Sequence, residues 1–233
     1  ELTPSLRTAL HEYYRVDDME DYDQMYRAVA YFAFKYGKID RLESHNEYWL
    51  FQDARLRTDF NIPGYKSDEM DKIKYKSKMK QVFLSHDIPV ALGKVFQTAE
   101  EGWNLLEQFG YPVIVKPDSG VGASDTYKIS TPEDFTDFLT KRNPDVTYFM
   151  EEFIKGDIIT FDGLTDQNGR VVFYSSLVYQ EPALDTVHRT GDMYFYETRD
   201  IEADLYELGM KSVAAFDIRE RFLHFEFFRT ADD

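Results

Sequence analysis

Tyr111-Pro112-Val113-Ile114-Val115-Lys116-Pro117-Asp118-Ser119-Gly120-Val121-Gly122-Ala123-Ser124 is the stretch that decides the fold. A short apolar run ends in a lysine and a proline. A loop with two glycines and two serines follows, and Thr126 to Ile129 resumes the apolar pattern. The stretch predicts a strand that hands a lysine to a flexible turn rich in backbone donors, an arrangement suited to phosphate. It is not a Walker-type loop, because Gly-x-x-x-x-Gly-Lys-Ser/Thr is absent and Lys116 precedes the glycines.

Working outward, the 233 residues allow one large or two modest domains with a real core. A formal net charge of -16 argues against nucleic acid as a partner, since phosphate neutralisation needs a basic face. With no cysteine, disulfides and thiol catalysis are excluded. No apolar run approaches the roughly 20 residues that span a bilayer, so no membrane partner is expected. Glu1-Leu2-Thr3-Pro4 has no basic leader and does not read as a signal peptide.

Before the central stretch, residues 18–36 carry apolar groups at helical spacing and Gly37 is a stop. Ile39 to Ser44 reads as a short strand, and a helix runs from Tyr48 to about Phe60. The lysines between Lys66 and Lys80 read first as a solvated face, and residues 76–86 as a helix. Thr98-Ala99-Glu100-Glu101 is a capping box opening a helix that stops at Gly110. Beyond the stretch, Thr131-Pro132 starts another helix. Tyr148 to Ile154 leads through Lys155-Gly156 into a strand from Ile158 to Leu164. Asn168-Gly169 turns that strand into a partner from Arg170 to Tyr179. Residues 180–200 show little periodicity and read as a mobile loop. Ile201 to Phe216 reads as a helix, and Phe222 to Arg229 as a strand with His224 and Glu226 on one face. The order gives an α/β or α+β fold with antiparallel pairing in its second half. Thr230 to Asp233 reads as half a turn, so a further strand is expected beyond Asp233.

Four features stand in order: Lys76 in Lys-Ser-Lys-Met-Lys, Lys116 before the glycine loop, Glu151-Glu152-Phe153-Ile154-Lys155-Gly156, and Glu226 in His-Phe-Glu-Phe. In that order and spacing the chain, from about Ile39 onward, resembles the ATP-grasp family, in its carbamoyl-phosphate-synthase-like or L-amino-acid-ligase-like branch. The resemblance implies an ATP-grasp fold of two lobes with mainly antiparallel sheets gripping a nucleotide, preceded by the remnant of a Rossmann-like domain. The expected divisions are 1–65 for the later part of that preceding α/β domain, 66–150 for the small lobe with its glycine-rich lid, and 151–233 for an incomplete large lobe.

The same resemblance assigns roles. Lys76 and Lys116 match the lysines that reach the nucleotide phosphates, although Lys78 or Lys80 is an alternative to Lys76. Ser119, Gly120, Gly122 and Ser124 match the loop that closes over the phosphates. Glu151, Glu152, Phe153 and Ile154 match the segment that meets adenine, with the choice between Glu151 and Glu152 open. The residue expected to bind ribose falls on Ile158, one past Asp157, which is its candidate substitute. Glu226 matches a carboxylate for Mg²⁺ or Mn²⁺; the alternative is an ion pair with Arg229. His224 reads as a packing or hydrogen-bonding residue. His188, Arg189 and Arg199 are candidates for triphosphate or substrate carboxylate, with surface charge the bland alternative. The implied activity is a cytoplasmic ATP- and Mg-dependent ligase that activates a small carboxylate as an acyl phosphate for attack by an amine. A homodimer is allowed. The alternatives are a non-catalytic ATP-binding module or fragment and, behind it, a phosphotransferase. Without nucleotide, Ser119 to Ser124 should be mobile; a tight, well-packed loop with Lys116 in a structural ion pair counts against the reading.

Overall fold

The computed structural model describes residues 2–120, 125–179 and 194–230. They fall into two compact units, Glu1–Met70 and Asp71–Asp233.

In the first unit, helix α1 (Pro4–Ala9) is capped by Thr3, and α2 (Tyr22–Tyr36) by the Asp21 carboxylate, which accepts from the Asp23 amide at 3.0 Å. Gly37 ends α2 at φ 85°, a left-handed angle that glycine takes without strain. A short 3-10 turn (Glu47–Trp49) leads into α3 (Leu50–Asp59). Val29 of α2, Leu56 of α3 and Ile62 form the buried core, with Met25, Ile39 and Leu42 against it. The strand expected at Ile39 to Ser44 is absent. Its polar groups go to side chains of α3 instead of a ladder. The Leu42 carbonyl accepts from Arg57 Nε at 3.0 Å, and Ser44 donates from its amide and hydroxyl to Asp53 Oδ2 at 2.9 and 2.6 Å.

The second unit begins with α4 (Asp71–Lys74) and α5 (Lys76–Ser85). The first sheet holds β1 (Gly93–Phe96), β2 (Val113–Pro117), β3 (Tyr127–Ile129) and β4 (Tyr148–Glu152) in the order β1-β4-β2-β3, with every pairing antiparallel. Helices α6 (Ala99–Phe109) and α7 (Pro132–Lys141) cover one face. Both open with capping boxes, Thr98 with Glu101 and Thr131 with Asp134. Alternation along the strands sends Val113, Val115, Tyr148 and Met150 into the core under these helices with Phe96, Leu106, Phe135 and Phe138. It leaves Ile114, Lys116, Phe149 and Glu151 on the other face.

The second sheet holds β5 (Asp157–Thr165), β6 (Val171–Tyr179), β7 (Phe195–Thr198) and β8 (Phe222–Arg229) in the order β7-β6-β5-β8, again antiparallel. The Asn168-Gly169 turn closes with Gly169 N–H to the Asp166 carbonyl at 2.9 Å and φ 78° at Gly169. Strand β7 corrects the expectation of an irregular stretch over 180–200. Its aromatic residues are exposed, so no alternation marked it. Residues 180–193 lie outside the described part. Helix α8 (Ala203–Ala215) packs on β5, where a Cβ on Gly209 would come within 2.2 Å of Phe161 Cγ. Helix α5 touches both sheets. Its Lys80 reaches β4, and its Phe83 packs against Phe216 and Phe225 with ring centroids 5.0 and 6.3 Å away. Two layered α+β halves with antiparallel sheets are the architecture that the resemblance implies.

Candidate nucleotide site

Lys116 leaves β2 on the face not covered by α6 and α7, and its Nζ lies 2.5 Å from Glu151 Oε1. Lys80, from α5, places its Nζ 2.8 Å from Glu151 Oε2 and 2.6 Å from the Ala91 carbonyl. Two lysines from different elements thus share one largely buried carboxylate. Burial acts to raise the Glu151 pKa, and the ammonium groups of Lys116 and Lys80 outweigh it, so the carboxyl is held below its usual range. Gly93 makes room here, since a Cβ at that position would meet the Phe149 ring at 2.4 Å and Glu151 Cβ at 2.9 Å. Lys116 is therefore in an ion pair, against the expectation of an uncommitted lysine. Strand register across β2 and β4 sets Lys116 opposite Phe149, next to Glu151.

Lys80 is the lysine that joins Lys116. Lys76 opens the same helix one turn earlier and on the same face. Lys78 pairs with Asp71 instead. The start of α5 is tied to the end of β2. Lys76 N–H donates to the Asp118 carbonyl at 2.9 Å, and the buried Asp118 carboxylate accepts from the Ser77 amide and hydroxyl, each at 2.8 Å. Ser119 forms a bridge with Tyr75. Among the described residues, a Cβ added at Gly120 would meet only Pro117 Cβ, at 3.7 Å. Gly122 and Ser124 lie outside the described residues.

The adjacent carboxylates of β4 part ways, as strand neighbours must. Glu152 Oε2 accepts from the Leu92 amide at 2.8 Å, which leaves Glu151 alone with the lysines. The Phe153 ring lies under Lys128 Nζ at 3.8 Å, and half-buried Ile154 follows. Gly156 passes so close to β8 that a Cβ would come within 2.4 Å of the Arg229 carbonyl oxygen. Asp157 is not brought to Glu226. Alternation puts Asp157 on the β5 face that carries Phe161 against α8, where it helps line a pocket of about 460 Å³ with Glu202 and Arg229.

The other face of the second sheet carries Thr160, Asp162, His224 and Glu226. His224 Nδ1 lies 2.5 Å from Asp162 Oδ1, and its Nε2 lies 3.5 Å from Glu226 Oε1. Thr160 donates its hydroxyl to Asp162 Oδ2 and accepts from the Leu177 amide at 2.8 Å. Hydrogen bonds to Asp162 and then to Glu226 push the imidazole up to about 10, so it is a cation at neutral pH. Glu226 does not pair with Arg229, which is held by Glu202 and Asp204 at 2.8 and 2.9 Å. Among the described residues no group of three His, Asp or Glu is arranged to hold a metal ion, so Glu226 offers one carboxylate and not a complete site. Arg199 lies on exposed backbone with its guanidinium 5.0 Å from the Phe173 ring centroid. His188 and Arg189 lie outside the described residues.

Asp118 and Asp162 carry no role in the sequence reading. Asp118 stood in the quoted stretch, but its partner Ser77 is 41 residues away, and Asp162 meets His224 across 62 residues. Neither pairing leaves a local signal.

Residues 71–193, more than half of the chain, match the family described as carbamoyl-phosphate synthase L chain, ATP binding domain. An L-arginine-specific L-amino acid ligase of Bacillus subtilis is 27% identical over 230 residues, covering 93% of this chain and 54% of that protein. An arginine-specific carbamoyl phosphate synthase large chain of Halalkalibacterium halodurans is 25% identical over 108 residues, covering 46% of this chain and 10% of that protein. The chain thus spans about half the length of the first of these relatives and a tenth of the second. Two solved structures share the fold. An L-amino acid ligase from Bacillus licheniformis superposes with a TM-score of 0.72 at 18% identity, over 91% of this chain and 51% of that one. A carboxyaminoimidazole ribonucleotide synthase from Aspergillus clavatus complexed with ATP gives 0.71 at 17% identity, over 98% and 58%. With this sequence match and this architecture, the chain belongs to the ATP-grasp family, in the group of the carbamoyl-phosphate synthase L chain ATP-binding domain.

Proposed function

We propose that this chain is the ATP-binding part of an ATP-dependent carboxylate–amine ligase. One observation carries the reading: residues 71–193 match the carbamoyl-phosphate synthase L chain ATP binding domain, and Lys80 and Lys116 of that region stand together beside the start of the glycine-rich loop. Their shared ion pair with Glu151 runs against the expectation of an uncommitted phosphate lysine and would have to open or be shared when a polyphosphate binds. Two ammonium groups held together against desolvation are a ready counter-charge for a polyphosphate. In the proposed reaction a substrate carboxylate oxygen attacks the terminal phosphorus of ATP, and ADP leaves. The amine then attacks the acyl carbon, loses a proton, and expels inorganic phosphate. Lys80, Lys116 and, one turn away, Lys76 would hold the phosphates and offset charge that develops on them. Phe153 and Ile154 would line the base.

Glu226 is the carboxylate offered to Mg²⁺ or Mn²⁺. The described residues do not complete a site for the ion. The ion pair that holds Lys116 on Glu151 is what favours the second reading, a non-catalytic ATP-binding module. No described helix is long and apolar enough to cross a membrane; a cytoplasmic setting, where ATP is supplied, and assembly as a homodimer remain part of the proposal.

The test is release of ADP and phosphate on mixing the protein with ATP, Mg²⁺ and a panel of amino acids, beside the ATP-induced change in melting temperature. Turnover with at least one carboxylate–amine pair, abolished in Lys116→Met, is expected. Stabilisation by ATP without turnover would favour the non-catalytic module, and neither effect would sink both readings.

A further inference from the structure

We propose that Asp118 is a positioning residue that brings Lys80 and Lys116 to one carboxylate and so sets the spacing of the nucleotide's phosphate contacts; this rests on the nucleotide reading above. The two lysines come from elements that local sequence does not bring together, since β1 and α6 intervene between α5 and β2. Asp118 lies two residues past Lys116 and bonds in three directions. Its amide donates to the Thr147 carbonyl at 2.9 Å, just before β4, the strand of Glu151. Its carbonyl accepts from the Lys76 amide at 2.9 Å. Its carboxylate accepts from both the amide and the hydroxyl of Ser77 at 2.8 Å. The Tyr75–Ser119 bridge extends the seam by one residue on each side.

The first amides of a helix have no partner within it and need an acceptor from elsewhere. The residue at the N-cap of α5, Tyr75, gives no side-chain cap. The acceptor is instead the Asp118 carboxylate, whose negative charge also suits the positive end of the helix. The first turn of α5 is therefore completed only when the end of β2 is in place. Lys80 extends from the next turn, so a slip or rotation of the first turn carries its ammonium away from Glu151. Asp118 is itself 7% exposed, and its carboxylate has no surface role.

Calorimetric ATP affinity tests this, with urea stability measured alongside, for Asp118→Ala, Asp118→Asn, Ser77→Ala, Lys80→Met, Lys116→Met and the double variant Asp118→Ala/Lys80→Met. Asp118→Ala is expected to weaken ATP about tenfold, equivalent to about 1.4 kcal/mol. Asp118→Asn keeps an acceptor oxygen for the Ser77 amide and should recover most of the loss. Lys80→Met should weaken ATP in the wild-type background yet add less than about twofold to Asp118→Ala, since contacts that act as a unit are not additive. A residue that merely stabilised the fold would leave the Lys80 effect undiminished. ATP affinity within twofold of wild type in Asp118→Ala, or full additivity with Lys80→Met, would overturn the proposal. Should Asp118→Ala not fold, Ser77→Ala, alone and with Lys80→Met, carries the same comparison with a smaller loss, and a silent Ser77→Ala counts against it. A wild-type protein that does not bind ATP, or a silent Lys116→Met, sinks the nucleotide reading and this inference with it. Weakening by Lys116→Met without weakening by Asp118→Ala sinks the inference alone.

Discussion

The two sheets of the second unit each present a carboxylate held by a cation, and they do so in opposite ways. On the first sheet, Glu151 is 11% exposed and the ammonium-bearing side chains of Lys80 and Lys116 are 17% and 25% exposed. On the second, His224 and Glu226 are 50% and 56% exposed, with Asp162 at 20% behind the imidazole. Burial makes the first cluster interdependent, because removing one charge strands the others out of water. Exposure makes the second loosely coupled, because water and salt screen what is left behind. Their pH behaviour is also opposite in sign. The Glu151 carboxyl is lowered below its ordinary value of 4.5, so its contribution is present above that value and is lost as pH falls through the folded value. The His224 imidazole is raised from 6.5 to about 10, so its contribution is complete below 6.5 and is lost as pH rises through 10.

The sharpest way to break this contrast is Glu151→Gln. It leaves two partly buried ammonium groups facing an amide and is expected to destabilise by about 3–5 kcal/mol. Urea unfolding that shows less than about 1 kcal/mol would place the first cluster in the same class as the second. Next in size is Gly93→Ala. Its Cβ would stand 2.4 Å from the Phe149 ring and 2.9 Å from Glu151 Cβ, an overpacking expected to destabilise by about 1–3 kcal/mol. ATP affinity should fall with it if Glu151 and its lysines move.

Smaller effects belong to the second sheet. His224→Gln at pH 7 should destabilise less than Glu151→Gln in urea unfolding, because the imidazole and Glu226 are half exposed and water screens them. The pH profile separates the two regions more finely. Between pH 6.5 and 10 the wild-type melting temperature should fall more steeply than that of Asp162→Asn, which loses the carboxylate that raises the imidazole. Parallel profiles would show that the Asp162–His224 bond adds nothing to folding.

Much of the fold was legible because its signals are local. The Thr98 and Thr131 caps, the stops at Gly37 and Gly110, and the Asn168-Gly169 turn each involve residues within a few positions of one another. The misreadings are where partners are distant or the pattern is missing. Ile39 to Ser44 holds only two apolar residues, Ile39 and Leu42, three apart, and its backbone is claimed by Arg57 and Asp53 of α3. Strand β7 pairs with β6 while exposing Phe195 and Tyr196, so it has no buried face to announce it.

The candidate site divides along the same line. By itself the sequence determined the capped helices, the Asn168-Gly169 hairpin, the lysine at the end of β2, and the alternation that makes Glu151 and Glu152 point apart. Only the tertiary structure decided that Lys80 joins Lys116, that Glu151 and not Glu152 is shared, and that Asp118 closes the first turn of α5. Those choices depend on strand register and on side chains 35 and 41 residues apart in sequence. Local propensity sets which elements form and carries no record of which distant group will satisfy a buried charge. That pairing is settled only when the elements pack and every buried polar atom must find a partner.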